Sequence, residues 1–280
     1  MDFYAHEGVS VIIPVYNRPD FLKEALDSAL KQTFRNFEII VVDDGSTDST
    51  PDVINSYGDK IVNIRQENKG VSSARNKGIM AAKHCFIAFL DSDDLWMDQK
   101  LERQVAFFHK NPGASVCQAG EIWIRRGKRV NPCKKHIKPS GMIFEPSLNL
   151  CLVSPSAVML KKSVFHEVGY FNENFPACED YDLWLRIACT IPIFLIDEPL
   201  VMKRGGHEGQ LSSMDSLDKY RIISISQLID SGRLDDFQKN AALNVLGEKC
   251  RIYTAGCVKR GKNIEASEIM AIAEKYGCFL

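Results

Sequence analysis

Hydrophobic and polar positions alternate along the first third of the chain in two distinct rhythms. Short apolar runs, at Val9-Ser-Val-Ile-Ile-Pro-Val15, Glu38-Ile-Ile-Val-Val-Asp-Asp44, Ile61 to Ile64 and Phe86-Ile-Ala-Phe-Leu90, predict buried strands. Between them the apolar positions recur at helical spacing. After the first run they fall at 21, 22, 25, 26, 29 and 30, with Asp20 placed as a cap. Gly45-Ser-Thr-Asp-Ser-Thr-Pro51 opens a second helix, where Pro51 suits a first turn and Ser49 or Thr50 the cap, and Gly70 to His84 forms a third. This alternation with short joints predicts right-handed βαβ units: an α/β fold with a mainly parallel central sheet flanked by helices.

After residue 110 the rhythm changes. Asn111-Pro-Gly113 is a turn, and short strands are expected at Ala114–Cys117, Glu121–Ile124 and Ala157–Leu160. Leu183, Trp184, Ile187 and Ala188 share a helix face, which puts Glu179 and Asp180 at or near a first turn. Two strands' worth of apolar residues follow near Ile191–Ile196, then a glycine-rich loop over Lys203–Ser212 that carries His207. From about Asp215 the pattern is helical, with amphipathic stretches at 216–230, 234–256 and 264–276. The chain thus divides into residues 1–214, with halves at about 8–110 and 111–214, and a C-terminal helical extension over 215–280. That extension carries no chemistry and suits packing against the rest or a homodimer surface.

Composition narrows the picture. With 280 residues and 45% hydrophobic content the chain can bury a sizeable core, and a net charge of −1 gives no field that would favour nucleic acid. No run approaches the ~18 apolar residues of a membrane span. Met1 to Glu7 lacks the charged head and apolar core of a secretory signal. Nine cysteines without a C-x-x-C pair suit reduced thiols, so a cytoplasmic setting without structural zinc is expected. The basic stretch from Arg125 to Lys138 has two readings. It is a solvated hairpin, or it is a contact for a phosphorylated acceptor or an anionic lipid surface, which would place the protein peripherally at a membrane.

The candidate chemistry begins where the fourth apolar run meets Asp91, Asp93 and Asp94, at the strand end where open α/β sheets gather ligands. A strand would point Asp91 and Asp93 the same way. Crowded carboxylates need a neutralising partner, and hard oxygen donors suggest Mg²⁺ or Mn²⁺ bridging to a phosphate-bearing substrate. An acidic loop capping the helix that starts near Asp98 is the simpler alternative. A dinucleotide site is excluded, because Pro14-Val-Tyr-Asn-Arg-Pro19 stands where G-x-G-x-x-G should follow the first strand. A Walker loop and the glycine- and lysine-rich loop of a nucleotidyltransferase are equally absent.

Together, Val9–Arg18, Glu38-Ile-Ile-Val-Val-Asp-Asp-Gly-Ser-Thr-Asp48, Gly70-Val-Ser-Ser-Ala-Arg-Asn-Lys-Gly78, Phe89-Leu-Asp-Ser-Asp-Asp94 and Glu179-Asp180 resemble an inverting glycosyltransferase of family 2, with the GT-A fold. The match covers roughly residues 8 to 212. The resemblance implies a nucleotide-diphospho-sugar donor, usually a UDP-sugar, and a saccharide or lipid-linked saccharide acceptor, met at the inner membrane face. It implies that Pro14 and Tyr16 line the base pocket, that Asp44 accepts from uracil N3–H, and that Asp43 helps with base or ribose or supports the turn. It further places Arg75 at the nucleotide, Asp91 at the ribose, Asp93 or Asp94 on the metal with His207 as a late-loop ligand, and Asp180 as general base beside Glu179. The rival from another class is a non-catalytic nucleotide-sugar-binding scaffold, against which the retained Asp180 speaks.

Overall fold

Strand β1 (Val9–Val15) lies between β2 (Phe37–Asp43), which carries β3 (Val62–Arg65) on its outer side, and β4 (Phe86–Phe89), and all four run parallel. Every residue of β1 is buried, which is why it reads as an unbroken apolar run. The computed structural model describes residues 7–131, 133–207, 210 and 217–278. The start of the chain and most of the glycine loop expected beyond His207 therefore lie outside the described residues. Helices α1 (Pro19–Leu30), α2 (Thr50–Ser56) and α3 (Val71–Ala81) make the crossovers. Helix α1 starts two residues earlier than the apolar spacing suggests, so Asp20 sits within its first turn and Arg18 occupies the cap position.

The second half follows as β5 (Leu95–Trp96), α4 (Lys100–Lys110), β6 (Val116–Arg125), β7 (Lys128–Val130), α5 (Phe144–Asn149), β8 (Val158–Lys161), α6 (Val164–Val168), α7 (Glu179–Ala188) and β9 (Ile193–Gly205). The sheet order is β3-β2-β1-β4-β8-β6-β9-β5, with β7 paired to β6. The parallel arrangement holds only as far as β4. Strand β8 is antiparallel to β4 and to β6, and β5 is antiparallel to β9, so the whole sheet is mixed. The reason is that β8 returns to β4 by a long excursion rather than by a single helical crossover, and nothing then imposes a parallel direction.

The two strands expected over 114–124 are one strand with an irregularity at Gly120. The β6–β9 register shifts on both sides of that glycine, and a Cβ there would lie 2.8 Å from the Glu198 carbonyl. Absence of a side chain lets the two backbones close. Strand β9 runs on to Gly205 and so delivers Lys203 and Arg204, expected in a loop, as strand residues.

Side chains alternate across the sheet into two apolar layers. Val11, Ile13, Ile39 and Val41 face α1 and α4. Ile12, Ile40, Ile87 and Phe89 face the layer that holds α3, α5 and α7. Helices α8 (Leu217–Asp230), α9 (Asp236–Lys259) and α10 (Asn263–Lys275) add Ile222, Ile225, Leu246 and Ile269 to this second layer, so the C-terminal helices share a core with the sheet. Among the described residues no helix is long and apolar enough to cross a membrane.

Helix α3 approaches β1 closely enough that a Cβ on Gly78 would meet Ile12 Cγ2 at 2.4 Å. Gly78→Val is expected to destabilise the fold by about 1–3 kcal/mol through overpacking. Adding Ile12→Ala should recover part of the loss in urea denaturation, a coupling that a purely local helix effect would not give.

Candidate active site

The carboxyl ends of β1, β2 and β4 open into a cavity of about 1160 Å³. One side is lined by Pro14, Tyr16, Asp44 and the segment leading into α3, and the base by Asp91 to Asp94. The far side is lined by Glu121, Trp123, Lys138, Lys203, Asp180 and the segment from Leu150 to Pro155. Pockets for a single drug-sized ligand usually run to roughly 300–1,000 Å³, so this cavity lies just above the large end of that range.

Arg75 holds the two sides together. It is buried on α3, donating from Nη1 to Glu179 Oε1 (2.6 Å) and from Nη2 to Asp91 Oδ1 (2.8 Å). Burial works against the charged guanidinium, but the two carboxylates outweigh it and hold its pKa above the ordinary arginine value. Burial likewise pushes the Glu179 carboxyl up, with Arg75 opposing. The guanidinium, expected at the nucleotide, thus bridges the acidic strand end to the start of α7, and both of its terminal nitrogens are engaged in doing so.

The other expected nucleotide residues divide. Asp44 is buried and lines the cavity, and its carboxylate accepts from Gln66 Nε2 (2.7 Å), Lys69 N (2.9 Å) and Gly70 N (2.8 Å). It therefore shapes the loop that enters α3. Asp43 is not among the cavity-lining residues. It accepts from Ser46 N (2.9 Å) and pairs with Arg65 (3.0 Å). Of the two roles expected for it, the geometry is that of turn support, because β2 turns its side chain away from the cavity. Tyr16 is half exposed at the rim.

The acid cluster carries its own cations. Asp93 Oδ2 lies 2.9 Å from Arg18 Nη1 and 2.8 Å from His207 Nε2, and the Asp93 carbonyl accepts from Arg204 Nε. Asp94 Oδ2 accepts from the Ser156 hydroxyl (2.6 Å), and Oδ1 from the Arg204 amide (2.8 Å). Burial pushes the Asp94 carboxyl up, Lys203 opposes, Asp93 and Asp91 add to the rise, and the group settles at about 8. Among the described residues no three His, Cys, Asp or Glu side chains converge as a complete metal site. The Asp93–His207 pair still fits a partial one. One carboxylate and one imidazole leave most positions of an octahedral Mn²⁺ or Mg²⁺ to substrate oxygens and water, which is how such ions meet phosphates. Asp94, with both oxygens engaged by Ser156 and Arg204, instead fixes β9 against the end of β4.

Asp180 differs from every acid just described. It lines the cavity on the first turn of α7 and has no ion pair among the described residues. Its Oδ1 accepts from its neighbour's amide, Tyr181 N (2.7 Å), and its Oδ2 from the Cys151 thiol (3.5 Å). Cys178, which precedes the helix, adopts φ +61°, a left-handed conformation unusual for a side chain with a Cβ.

Several residues of the site were not anticipated from the sequence. Glu121 pairs with Lys138 (2.9 Å) and accepts from Trp123 Nε1 (2.9 Å). Burial pushes the Glu121 carboxyl up, but Lys138 and Lys203 outweigh it and hold the group at about 2. Burial also works against the Lys203 ammonium, and Glu121, Asp94 and Asp91 keep it charged. Lone charged residues in strands are weak signals, although Glu121 and Lys203 alternating with apolar neighbours marked a polar strand face. Arg18 lay inside a recognised segment without a role.

A half-parallel, half-mixed sheet with an acid cluster at the end of its fourth strand, facing a helix-borne carboxylate, defines the GT-A type of α/β fold. The chain belongs to glycosyl transferase family 2, whose model matches residues 10–169. An uncharacterized glycosyltransferase of Rickettsia felis is 38% identical over 213 residues, covering 72% of this chain and 35% of that protein. The chain therefore spans about a third of that relative's length. The UDP-Glc:alpha-D-GlcNAc-diphosphoundecaprenol beta-1,3-glucosyltransferase WfaP of Escherichia coli is 35% identical over 185 residues, covering 65% of this chain and 70% of WfaP. Among solved structures, residues 1–349 of S. aureus TarS with UDP-GlcNAc superpose with a TM-score of 0.69 at 22% identity, covering 86% of this chain and 71% of that one, which establishes likeness of fold.

Arg75→Ala leaves the buried Glu179 carboxylate and the partly exposed Asp91 without their cation and is expected to cost about 3–5 kcal/mol in urea denaturation. Arg75→Lys should recover only part of that, since an ammonium cannot bridge two carboxylates as a planar fork does. A second expectation concerns pH. The Glu121 carboxyl is depressed in the folded state, so its stabilisation is present above the unfolded value of 4.5 and is lost as pH falls toward about 2. Wild type should exceed the Glu121→Gln variant in stability at pH 7, and the gap should close between pH 4.5 and 2 in denaturation series.

Proposed function

We propose that the chain is an inverting glycosyltransferase that moves a sugar from a UDP-sugar to a hydroxyl of a saccharide or lipid-linked saccharide. One observation carries this reading. Of two adjacent acids at the start of α7, Glu179 is locked to Arg75, while Asp180 beside it lines the cavity and has no ion pair among the described residues. A cavity-facing carboxylate that is not tied up in a salt bridge is poised to accept a proton. WfaP uses a UDP-linked donor and a diphosphate-linked acceptor by its name, and family membership supports extending that donor class to this chain.

In this mechanism Pro14 and Tyr16 border the base, and Asp44 accepts from it while shaping the loop that encloses it. Asp91, oriented by Arg75, faces the ribose. Asp93 and His207 would hold a divalent cation, Mn²⁺ or Mg²⁺, whose Lewis acidity offsets the charge that develops on the departing diphosphate. Asp180 takes the proton of the acceptor hydroxyl as it attacks the anomeric carbon from the face opposite the leaving group. The glycosidic bond forms as the bond to the diphosphate breaks, so one displacement inverts the configuration. With a lipid-linked acceptor the protein would work peripherally at the cytoplasmic face of the membrane.

Asp180→Asn is expected to lower transfer by about 10²–10⁴, measured as acceptor-dependent UDP release from a UDP-sugar in the presence of Mn²⁺. UDP affinity by calorimetry should stay within about twofold, since a residue that acts only in the displacement contributes little to nucleotide binding. Undiminished turnover would remove Asp180 from the mechanism.

A further inference from the structure

The far half of the cavity is built as a second binding site. Over Glu121 to Arg125 the β6 register with β9 is regular, so Glu121, Trp123 and Arg125 face the same way, and Lys203 stands in register with Trp123. Glu121, Trp123 and Lys203 line the cavity, and Arg125 follows two residues beyond Trp123 on the same face of β6, outside the residues that line it. Lys128 of β7 is directly opposite Arg125. Both are exposed, and neither has a carboxylate partner among the described residues. Like charges set directly across a strand pair destabilise it. Residues 122–144 hold seven Lys and Arg and no Asp or Glu, in a chain of net charge −1, so this segment carries a local excess of positive charge. Inside the cavity, Trp123 is fixed at its edge by the 2.9 Å bond to Glu121, and Lys138 and Lys203 keep that carboxylate charged. An indole held in place in a cavity offers an apolar face to the C–H face of a sugar ring.

We propose that this half binds the acceptor as a sugar carried on a phosphate or diphosphate, with the ring against Trp123 and the phosphate between Arg125 and Lys128. The inference rests on the transferase reading for the word acceptor, but its test does not require turnover. Phosphate groups could reach Arg125 and Lys128 from the acceptor itself or from bilayer headgroups. The experiment therefore uses three probes in the presence of UDP. These are butyl-diphosphate-linked N-acetylglucosamine, the butyl glycoside of the same sugar without phosphate, and phosphatidylglycerol vesicles.

The wild-type protein should bind the diphosphate probe about tenfold or more tightly than the glycoside, as expected for charge-assisted bonds to an anion. The Arg125→Ala/Lys128→Ala variant should lose that preference and leave glycoside binding unchanged. Trp123→Ala should weaken both sugar probes about tenfold, and Trp123→Tyr, which keeps an aromatic face, should retain most of the affinity. UDP affinity should be the same in every variant, which shows that the fold and the donor side are intact. Equal affinity of wild type and double variant for the diphosphate probe overturns the proposal. So does a double variant that loses only vesicle binding, because the cations would then serve headgroups. Absence of UDP binding in wild type would instead count against the transferase reading, while the probe arms still report on the subsite.

Discussion

The buried bridge from Asp91 through Arg75 to Glu179 is the constraint on which the site depends. It ties three elements that are far apart in the chain: the loop after β4, helix α3, and the first turn of α7. A guanidinium is suited to this because its terminal nitrogens diverge in a fixed plane, so the separation of its two carboxylates is set by covalent geometry. The cavity between the donor side and the far wall therefore has a fixed width before any ligand enters. Preorganisation of this kind reduces the ordering that binding would otherwise require.

Charge pairing also separates the roles of chemically similar residues. Five acids crowd around the centre of the cavity, and four are engaged by cations or by tight hydrogen bonds: Asp91 and Glu179 by Arg75, Asp93 by Arg18 and His207, and Asp94 by Ser156 and the Arg204 amide. Asp180 accepts only from a neighbouring amide and a weak thiol donor. The arrangement distributes work by partner rather than by residue type. Orienting, cation-holding and proton-accepting carboxylates differ chiefly in what each one touches.

The first half of the fold was legible because β1 and β4 are buried along their whole length and short joints link strand to helix, so pattern and topology coincide there, although β3 lies largely exposed at the sheet edge. The second half was less so. Strand β6 hid behind Gly120, whose role is contact between backbones, and β9 continued through charged residues that look like loop. Motif spacing located the acids and gave Asp44 to the base, but left Asp43 open between base or ribose and turn, and Asp93 and Asp94 unseparated as metal ligands. Adjacent strand-end residues point opposite ways, and only the β2 turn decides which one meets the cavity. Arg75 drew attention for its place in a motif, yet its partners come from positions 16 and 104 residues away, a separation that local patterning cannot register. The far wall was legible only in part: Lys138 ends the basic stretch and Lys203 opens the glycine-rich segment, but their convergence on Glu121 joins positions far apart in the chain.

Cys178 carries a consequence for how the base is aimed. A left-handed backbone at a residue with a Cβ is disfavoured by roughly 1–2 kcal/mol, and such a conformation persists only where the surroundings over-determine it. Here that conformation stands immediately before α7, held by the Cys178 contacts to Leu217 and Asp182 and, one residue on, by the Arg75–Glu179 clamp. Releasing the clamp would let the backbone relax and rotate the helix start, swinging the adjacent carboxylate off its line of fire without any substitution at Asp180 itself.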